Sequence, residues 1–229
     1  MKKVALCCVL VLTAASAFAA LSRDEIKRLN ESATILSELR NSPDKTIPED
    51  LWKKAQCVLV IPSLKKAAFI VGGEYGSGVM SCRTKAWSAP VFMQLAKGSW
   101  GLQFGAEEID LVLLVMNERG LDKLFQDKVS LGADASVAAG PVGRSAAAAT
   151  DAQMGAEMLS YSRSHGLFAG IDLSGGVLRP DKEADARAYG PNVTAREIVE
   201  GAGHIEMPAS ARSFITSLTR DVRATSGRK

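Results

Sequence analysis

Apolar side chains recur at every third or fourth position from residue 26 to residue 39. This spacing places them along one side of a helix, so it predicts an amphipathic α-helix with a charged opposite side. The stripe consists of Ile26, Leu29, Ala33, Leu36 and Leu39. Ser22 and Glu25 form the capping-box pattern that begins such a helix, and Thr46 with Glu49 predicts a second, short helix in the same way.

The pattern changes at residue 57. The apolar run 57–61 is stopped by Pro62, which predicts a buried strand, and the most apolar run, 111–116, predicts the central strand. Glycine recurs in or beside apolar segments from there to residue 179, and glycine weakens a strand unless the sheet bends sharply or another backbone comes close. The predicted fold is therefore α+β, with N-terminal helices packed on a curved, mostly antiparallel, glycine-rich β-sheet or partial barrel.

Turn-forming and helix-capping residues predict the remaining local features. Segments 72–78 and 164–166 are interpreted as hairpin turns, and 72–78 lacks the Gly-Lys-Ser/Thr ending of a phosphate-binding loop. Thr194 and Glu197 form another capping box, and Gly201 ends that short helix. Near the basic C-terminus, apolar positions predict a last short helix through Phe214, Ile215, Leu218 and Val222.

The first residues resemble an export signal. Lys2 and Lys3 precede the apolar stretch 4–12, and Ala17 and Ala19 supply the small residues that a signal peptidase recognises. We therefore predict a signal peptide over 1–19, a globular domain over 20–200 and a basic C-terminal extension with a short helix over 201–229. The expected location is exported, periplasmic or secreted, with peripheral membrane association.

The net charge and the cysteine content exclude some kinds of ligand. Loss of Lys2 and Lys3 with the leader reduces the 28 basic residues to 26, against 25 acidic residues, so overall charge attracts neither nucleic acid nor anionic lipid. Only Cys57 and Cys82 remain in the mature chain, with no Cys-x-x-Cys pair, so no zinc site is expected. An oxidising compartment permits a disulfide between them, but two separately buried thiols is the favoured interpretation.

No catalytic constellation is apparent. The two histidines, His165 and His204, have no Gly-x-Ser-x-Gly nucleophile motif or metal-ligand spacing to accompany them. Acidic residues in apolar surroundings are expected to form structural ion pairs or turn caps, and Asp134 with Arg144 is predicted to be such a pair. These acids are Asp110, Asp134, Asp151 and Asp172, with Arg83, Arg144 and Arg163 as available partners. We expect no enzyme activity, no cofactor and no metal.

The densest basic spot between the helices and the sheet is Lys65 with Lys66, which Lys27 and Arg28 of the first helix can join. One interpretation is a solvated loop. The other is a patch that binds phospholipid headgroups while the apolar stripe of the helix enters the bilayer.

A series of longer motifs, in order, resembles the SYLF domain, also called the Ysc84 domain, over roughly Ser32 to Val199. The motifs are VLVIPS (58–63), FIVGGEYGSG (69–78), WSAP (87–90), GLQFG (101–105), LGAD (131–134), AGPVGR (139–144) and YSRSHGLFAG (161–170), with Arg83, Asp110 and Asp151 between them. The resemblance implies phospholipid binding, aided by an N-terminal amphipathic helix, and carries no catalytic residues. Some eukaryotic relatives also bind actin, a role that an exported chain is not expected to share.

The sequence thus predicts non-enzymatic binding to a phospholipid membrane surface, with anionic lipids as the expected ligands. The predicted lipid-binding residues are Ile26, Lys27, Arg28, Leu29, Leu36, Lys65 and Lys66. The alternative is a structural or protein-interaction module of the cell envelope. Nucleic acid is not an expected partner, and the sequence names no protein partner.

Overall fold

The computed structural model describes residues 21–41, 47–68, 71–100, 105–142, 155–164, 167–203 and 205–219. The helices are α1 (Arg23–Asn41), α2 (Glu49–Lys54), α3 (Glu118–Leu124), α4 (Lys182–Tyr189), α5 (Ala195–Glu200) and α6 (Arg212–Thr219), the last preceded by a 3₁₀ turn (Ala209–Ala211). The strands are β1 (Cys57–Ala68), β2 (Val71–Cys82), β3 (Val91–Trp100), β4 (Gly105–Val115), β5 (Val129–Ser130), β6 (Val137–Ala139), β7 (Met158–Ser164), β8 (Leu167–Gly170) and β9 (Gly176–Pro180).

The strands form one curled sheet, a half-barrel, in the order β5-β9-β3-β2-β1-β4-β7-β6, with β8 paired to the second half of β7. Among the described strand pairs, β6 with β7 is parallel and the others are antiparallel. The predicted α+β fold with a curved, mostly antiparallel sheet is confirmed. The run 111–115 lies in β4, an interior strand between β1 and β7.

Alternation along the strands gives the sheet two buried faces, because successive side chains point to opposite sides. On one face, which we call the helix face, Val58, Val60 and Phe92 pack with the apolar residues of α1, α2 and α6. On the other, Leu59, Leu113 and their neighbours pack with residues of α3 and α5. Burial on both faces explains why β1 and β4 are continuous apolar runs in the sequence.

A bulge in β1 explains the glycines of β2. The register of β1 with β2 shifts between Val60 and Lys65, and Ser63 adopts a positive φ of 51° there. A Cβ on Gly78 would lie 2.2 Å from the carbonyl oxygen of Val60, and one on Gly76 would lie 2.5 Å from Ile61 Cγ2. The prediction of a turn over 72–78 is therefore wrong, since these residues are part of β2 and their glycines allow β1 to approach.

Two of the three predicted capping boxes are present. Ser22 N–H donates to Glu25 Oε2 over 2.5 Å, and Thr194 exchanges the reciprocal bonds with Glu197. The one predicted at Thr46 does not begin α2, because the N-cap of α2 is Pro48, without a side-chain cap bond, and Thr46 itself lies outside the described residues. The predicted C-terminal helix is α6, with Phe214 and Leu218 buried on the helix face.

Cys57 and Cys82 form a disulfide, which corrects the interpretation as two separate thiols. The two residues are direct partners in the register of β1 with β2, so the pairing brings their side chains together on one face. Because the two cysteines are 25 positions apart in the chain, local sequence patterns do not show that they are neighbours.

Candidate binding surfaces

The apolar stripe of α1 is the seam that joins the helix to the sheet. Leu29 and Leu36 have no exposed surface, and Leu39 retains 2%. They pack on the helix face together with α6, and removing their apolar surface from water stabilises the fold. Of the predicted membrane-contacting side chains of α1, only Ile26 is exposed, with 37% of its surface accessible. Leu29 and Leu36 therefore cannot meet a bilayer in this conformation.

The two basic residues at the start of α1, Lys27 and Arg28, also differ in solvent exposure. Lys27 is exposed and lies 3.6 Å from Glu31 one turn further along the helix. Arg28 retains 14% of its side-chain surface, donates to Asp181 Oδ2 over 3.1 Å and lies 5.5 Å from the centre of the Phe92 ring. Arg28 thus holds α1 to the segment before α4, so it is not presented to a headgroup.

Lys65 and Lys66 lie in β1 beyond the bulge, so the interpretation as a loop is wrong. Lys66 is partly buried and 3.9 Å from Glu74 of β2. Lys65 points to the opposite side, is exposed, and faces Tyr75 of β2 and Glu108 of β4 in the register. Only one of the two adjacent lysines is therefore freely presented.

Lys65 belongs to an exposed surface on the far part of the sheet, which we call the distal face and define as Lys65, Tyr75 and Ala96. Tyr75 pairs with Lys65 on one side and Ala96 on the other, and 49% of its surface is exposed. The distal face is an exposed part of the helix face. Tyr75 lies on the same side of the sheet as Val79, because residues two and four apart in a strand point the same way. The sequence did not single out Tyr75 as a candidate for binding; the available signal was an aromatic side chain set among strand glycines.

The structure does not gather the four predicted basic residues into one patch. Arg28 contacts Phe92, which is in register with Val79, and Val79 is in register with Val60. Lys65 is in register with Tyr75, which lies four residues from Val79 along β2, roughly 13 Å at the usual rise of a strand. The distal face and the N-terminal end of α1 are therefore separate surfaces.

An open cleft of about 740 Å³ lies at the opposite end of the sheet. Its most buried acid, Glu157, accepts bonds from Lys123 Nζ at 2.9 Å and from Ser136 N–H at 2.9 Å. Burial acts to raise the pKa of Glu157, but the bonds from Lys123 and Ser136 outweigh burial and lower it. The carboxylate is thus ionised and fully bonded, which suits a structural role better than acid–base chemistry.

The predicted acids within the described residues have structural partners, and Asp172 is one, since it accepts from Ser174 N–H at 2.8 Å. Asp110 pairs with Arg163 at 3.0 Å, as expected for a structural ion pair. Asp134 is exposed and caps a turn by accepting from Ser130 N–H at 2.8 Å, so the prediction that it forms a buried pair with Arg144 is wrong as to burial. Arg144, Asp151, His165 and His204 lie outside the described residues.

The described residues form neither a metal-binding cluster nor a membrane-spanning helix. Within them, no group of three or more His, Cys, Asp or Glu side chains is placed to hold a metal ion. None of their helices combines the length and the apolar character that crossing a membrane requires.

Comparison with known proteins identifies the family. The family model described as "Ysc84: Las17-binding protein actin regulator" matches residues 96–221, from β3 through α6. The chain belongs to the Ysc84 family. The matched region runs past residue 200 and includes α6, which packs on α1.

Relatives similar to this chain include proteins of fungi and of vertebrates. LAS seventeen-binding protein 3 of Saccharomyces cerevisiae is 40% identical over 164 residues, which cover 69% of this chain and 35% of that protein. The SH3 domain-containing YSC84-like protein 1 of Xenopus laevis is 37% identical over 197 residues, 84% of this chain and 57% of that protein. The chain thus spans between about a third and just over half of the length of these relatives. The first name states that the protein binds LAS seventeen, and the second states that the protein contains an SH3 domain.

Proposed function

We propose that this member of the Ysc84 family is a non-enzymatic binding module that contacts a protein partner. The observation that carries the proposal is the family match itself, since the family is described by the binding of Las17 and the regulation of actin. Those activities belong to the relatives. A binding role is supported because the described buried acids are bonded within the fold and the distal face is exposed in the part of the chain that the structure describes.

The distal face is the contact that we propose for this partner. Tyrosine is enriched at protein interfaces because it offers a large, rigid, amphipathic surface, and interface energy concentrates in a few such side chains. Tyr75 lies beside Lys65 on a sheet surface where Gly73 and Gly98 face each other without side chains. A partner can therefore approach the backbone closely around one aromatic anchor.

Co-sedimentation with purified actin filaments tests the capacity for such a contact in vitro, whatever compartment the protein occupies. We expect the parent protein to pellet with filaments and Tyr75→Ser to weaken binding about tenfold, in the range of an interface anchor. Lys182→Glu, a charge reversal at an exposed helix start, is the control and is expected to bind like the parent. A parent protein that remains in the supernatant at all filament concentrations contradicts the actin form of the proposal.

A second candidate is binding to an anionic phospholipid surface, and the pairing of exposed Lys65 with exposed Tyr75 favours it. An aromatic ring with a polar tip suits the interface of a bilayer, and a lysine near an anionic surface contributes about 1 kcal/mol. Vesicle co-sedimentation at low salt tests it. Lys65→Glu is expected to weaken binding about tenfold, since it replaces attraction by repulsion, whereas Lys27→Glu, the matched control on α1, leaves binding unchanged. Equal losses in both variants contradict this location.

Export with peripheral membrane association is the location that we propose. The leader pattern of residues 1–19 supports it, and so does the Cys57–Cys82 disulfide, since disulfides persist in oxidising compartments. Intact-mass measurement of the secreted protein is expected to give a chain that starts at Ala20 or Leu21. Retention of Met1 to Ala19 contradicts the proposal.

A further inference from the structure

Five titratable side chains lie where α1 meets α4 beside the start of β3, and we call them the α1–α4 cluster. Glu25 and Arg28 come from α1, Asp181 caps α4, and Asp185 and Arg187 lie within α4. Glu25 and Asp185 each retain only 1% of their surface, and Asp181 retains 7%. Charges as buried as these are unstable unless each finds a partner.

Two ion pairs cross from one helix to the other. Arg187 donates to Glu25 Oε1 from Nε at 2.7 Å and from Nη2 at 2.5 Å. Arg28 donates to Asp181 Oδ2 over 3.1 Å. These pairs use both cations of the cluster and two of its three acids, so the third acid, Asp185, has no cation paired directly with it among the described residues.

Asp185 is held instead by the backbone of β3. Its Oδ1 accepts the N–H of Phe92 at 2.9 Å, and the carbonyl of Phe92 accepts the N–H of Asp181 at 2.8 Å. The titratable groups around Asp185 are Asp181, Arg28 and Tyr189, of which Asp181 disfavours its ionisation and Arg28 favours it. Burial is the largest influence, and it raises the pKa of Asp185 to about 8. At neutral pH the carboxyl is therefore mostly protonated.

We propose that the α1–α4 cluster is a pH-sensitive latch, which holds α1 on the sheet while Asp185 carries a proton and loosens when Asp185 ionises. With Asp185 neutral, two cations face two acids. Loss of its proton places a third negative charge beside Asp181 in a site with little water. The repulsion acts on Asp181, the carboxylate that holds Arg28 of α1, and release of α1 exposes its apolar stripe. The latch is independent of which partner the protein binds.

The direction of the pH effect follows from proton linkage. Arg28 of α1 lies over the ring of Phe92, whose N–H donates to Asp185. In the proposed open state α1 withdraws Arg28 and water reaches Asp185, so its pKa returns towards the ordinary value of about 3.9 and the proton leaves. Opening is therefore promoted about tenfold per pH unit between roughly pH 4 and pH 8, and is constant above. At the acid end, burial acts to raise the pKa of Glu25, but its bonds from Arg187 and Ser22 outweigh burial and lower it. The contact of Glu25 with Arg187 is lost only as the pH falls through that lowered value.

Hydrogen–deuterium exchange of the mature protein, without any partner, tests the latch. We expect the protection of α1 peptides, corrected for the intrinsic pH dependence of exchange, to fall on the order of tenfold per unit between pH 6 and pH 8. Peptides from β4 are expected to keep constant protection, since the sheet stays folded. Asp185→Asn keeps a neutral acceptor for the Phe92 N–H, so its α1 protection is expected to be independent of pH.

The control is Asp127→Asn, which removes an exposed carboxylate that pairs with Lys182 outside the cluster, and it is expected to repeat the parent's pH dependence. Should Asp185→Asn fail to fold, the pH series of the parent protein alone decides. Constant α1 protection in the parent overturns the latch, and so does a parallel loss of protection in α1 and β4. Because no partner is present, these outcomes are independent of the actin and vesicle experiments.

Discussion

α1 and the far part of β1 present the same kinds of residue to a reader of the sequence, apolar positions beside lysines, yet the fold treats them in opposite ways. In α1 the apolar stripe is covered by the sheet and Arg28 pairs with Asp181. In β1 beyond the bulge, Lys65 is exposed next to Tyr75. An amphipathic pattern thus states that one side will be buried, but not whether protein or lipid will bury it.

The largest expected effect separates these two regions by stability. Leu36→Ala should lower the free energy of unfolding by about 2–5 kcal/mol, because it leaves a cavity in a fully packed seam. Ile26→Ala, on the same helix but exposed, should lower it by less than about 1 kcal/mol. Urea unfolding at equilibrium measures both. Similar small losses would mean that α1 is not docked on the sheet in solution.

The disulfide sharpens the contrast within β1, because it ties the near end of that strand to β2. Its removal by reduction, or by Cys57→Ser with Cys82→Ser, should cost about 2–4 kcal/mol through the greater freedom of the unfolded chain. Thermal unfolding with and without a reductant measures the loss. Free thiols detected in the unreduced, unfolded protein would show that the bridge does not form.

Arg28 and Lys27 are adjacent in α1 but differ in burial, so substituting each compares a docked with an exposed basic residue. Arg28→Met should destabilise the fold by about 2 kcal/mol, less than the full cost of breaking a buried pair because some solvent reaches Arg28. Lys27→Met should change stability by no more than about 0.5 kcal/mol, since its contact with Glu31 is an exposed ion pair. Denaturant midpoints of the two variants give the difference. Equal midpoints would contradict the docking of Arg28 on Asp181.

The smallest effect on stability is expected at the distal face. Tyr75→Ser and Lys65→Glu lie on an exposed surface, so each should change the free energy of unfolding by only about 0.5 kcal/mol. Melting curves recorded beside the binding assays check this. A clear loss of stability would make any loss of binding an indirect effect of unfolding.

Several features of this fold are readable in the sequence because they depend on neighbours along the chain. The Ser22–Glu25 and Thr194–Glu197 capping boxes connect residues three apart, and the apolar run of β4 reports burial on both faces of the sheet. The α+β class followed from the order of such segments. The family resemblance also rests on the order of local motifs, and the family match confirms it.

The tertiary structure decided what local patterns leave open. Strand register joins Cys57 to Cys82, a bulge at Ser63 turns Lys65 outward beside Tyr75, and packing sets Arg28 against Asp181, 153 residues away. Each outcome depends on which distant segment packs against a given side chain. The spacing of apolar residues does not identify that segment, because the hydrophobic effect is non-directional. The sequence by itself therefore determined several of the helices, the fold class and the family, whereas the extent of β1 and β2 and the side chains that remain available for binding were settled by long-range packing.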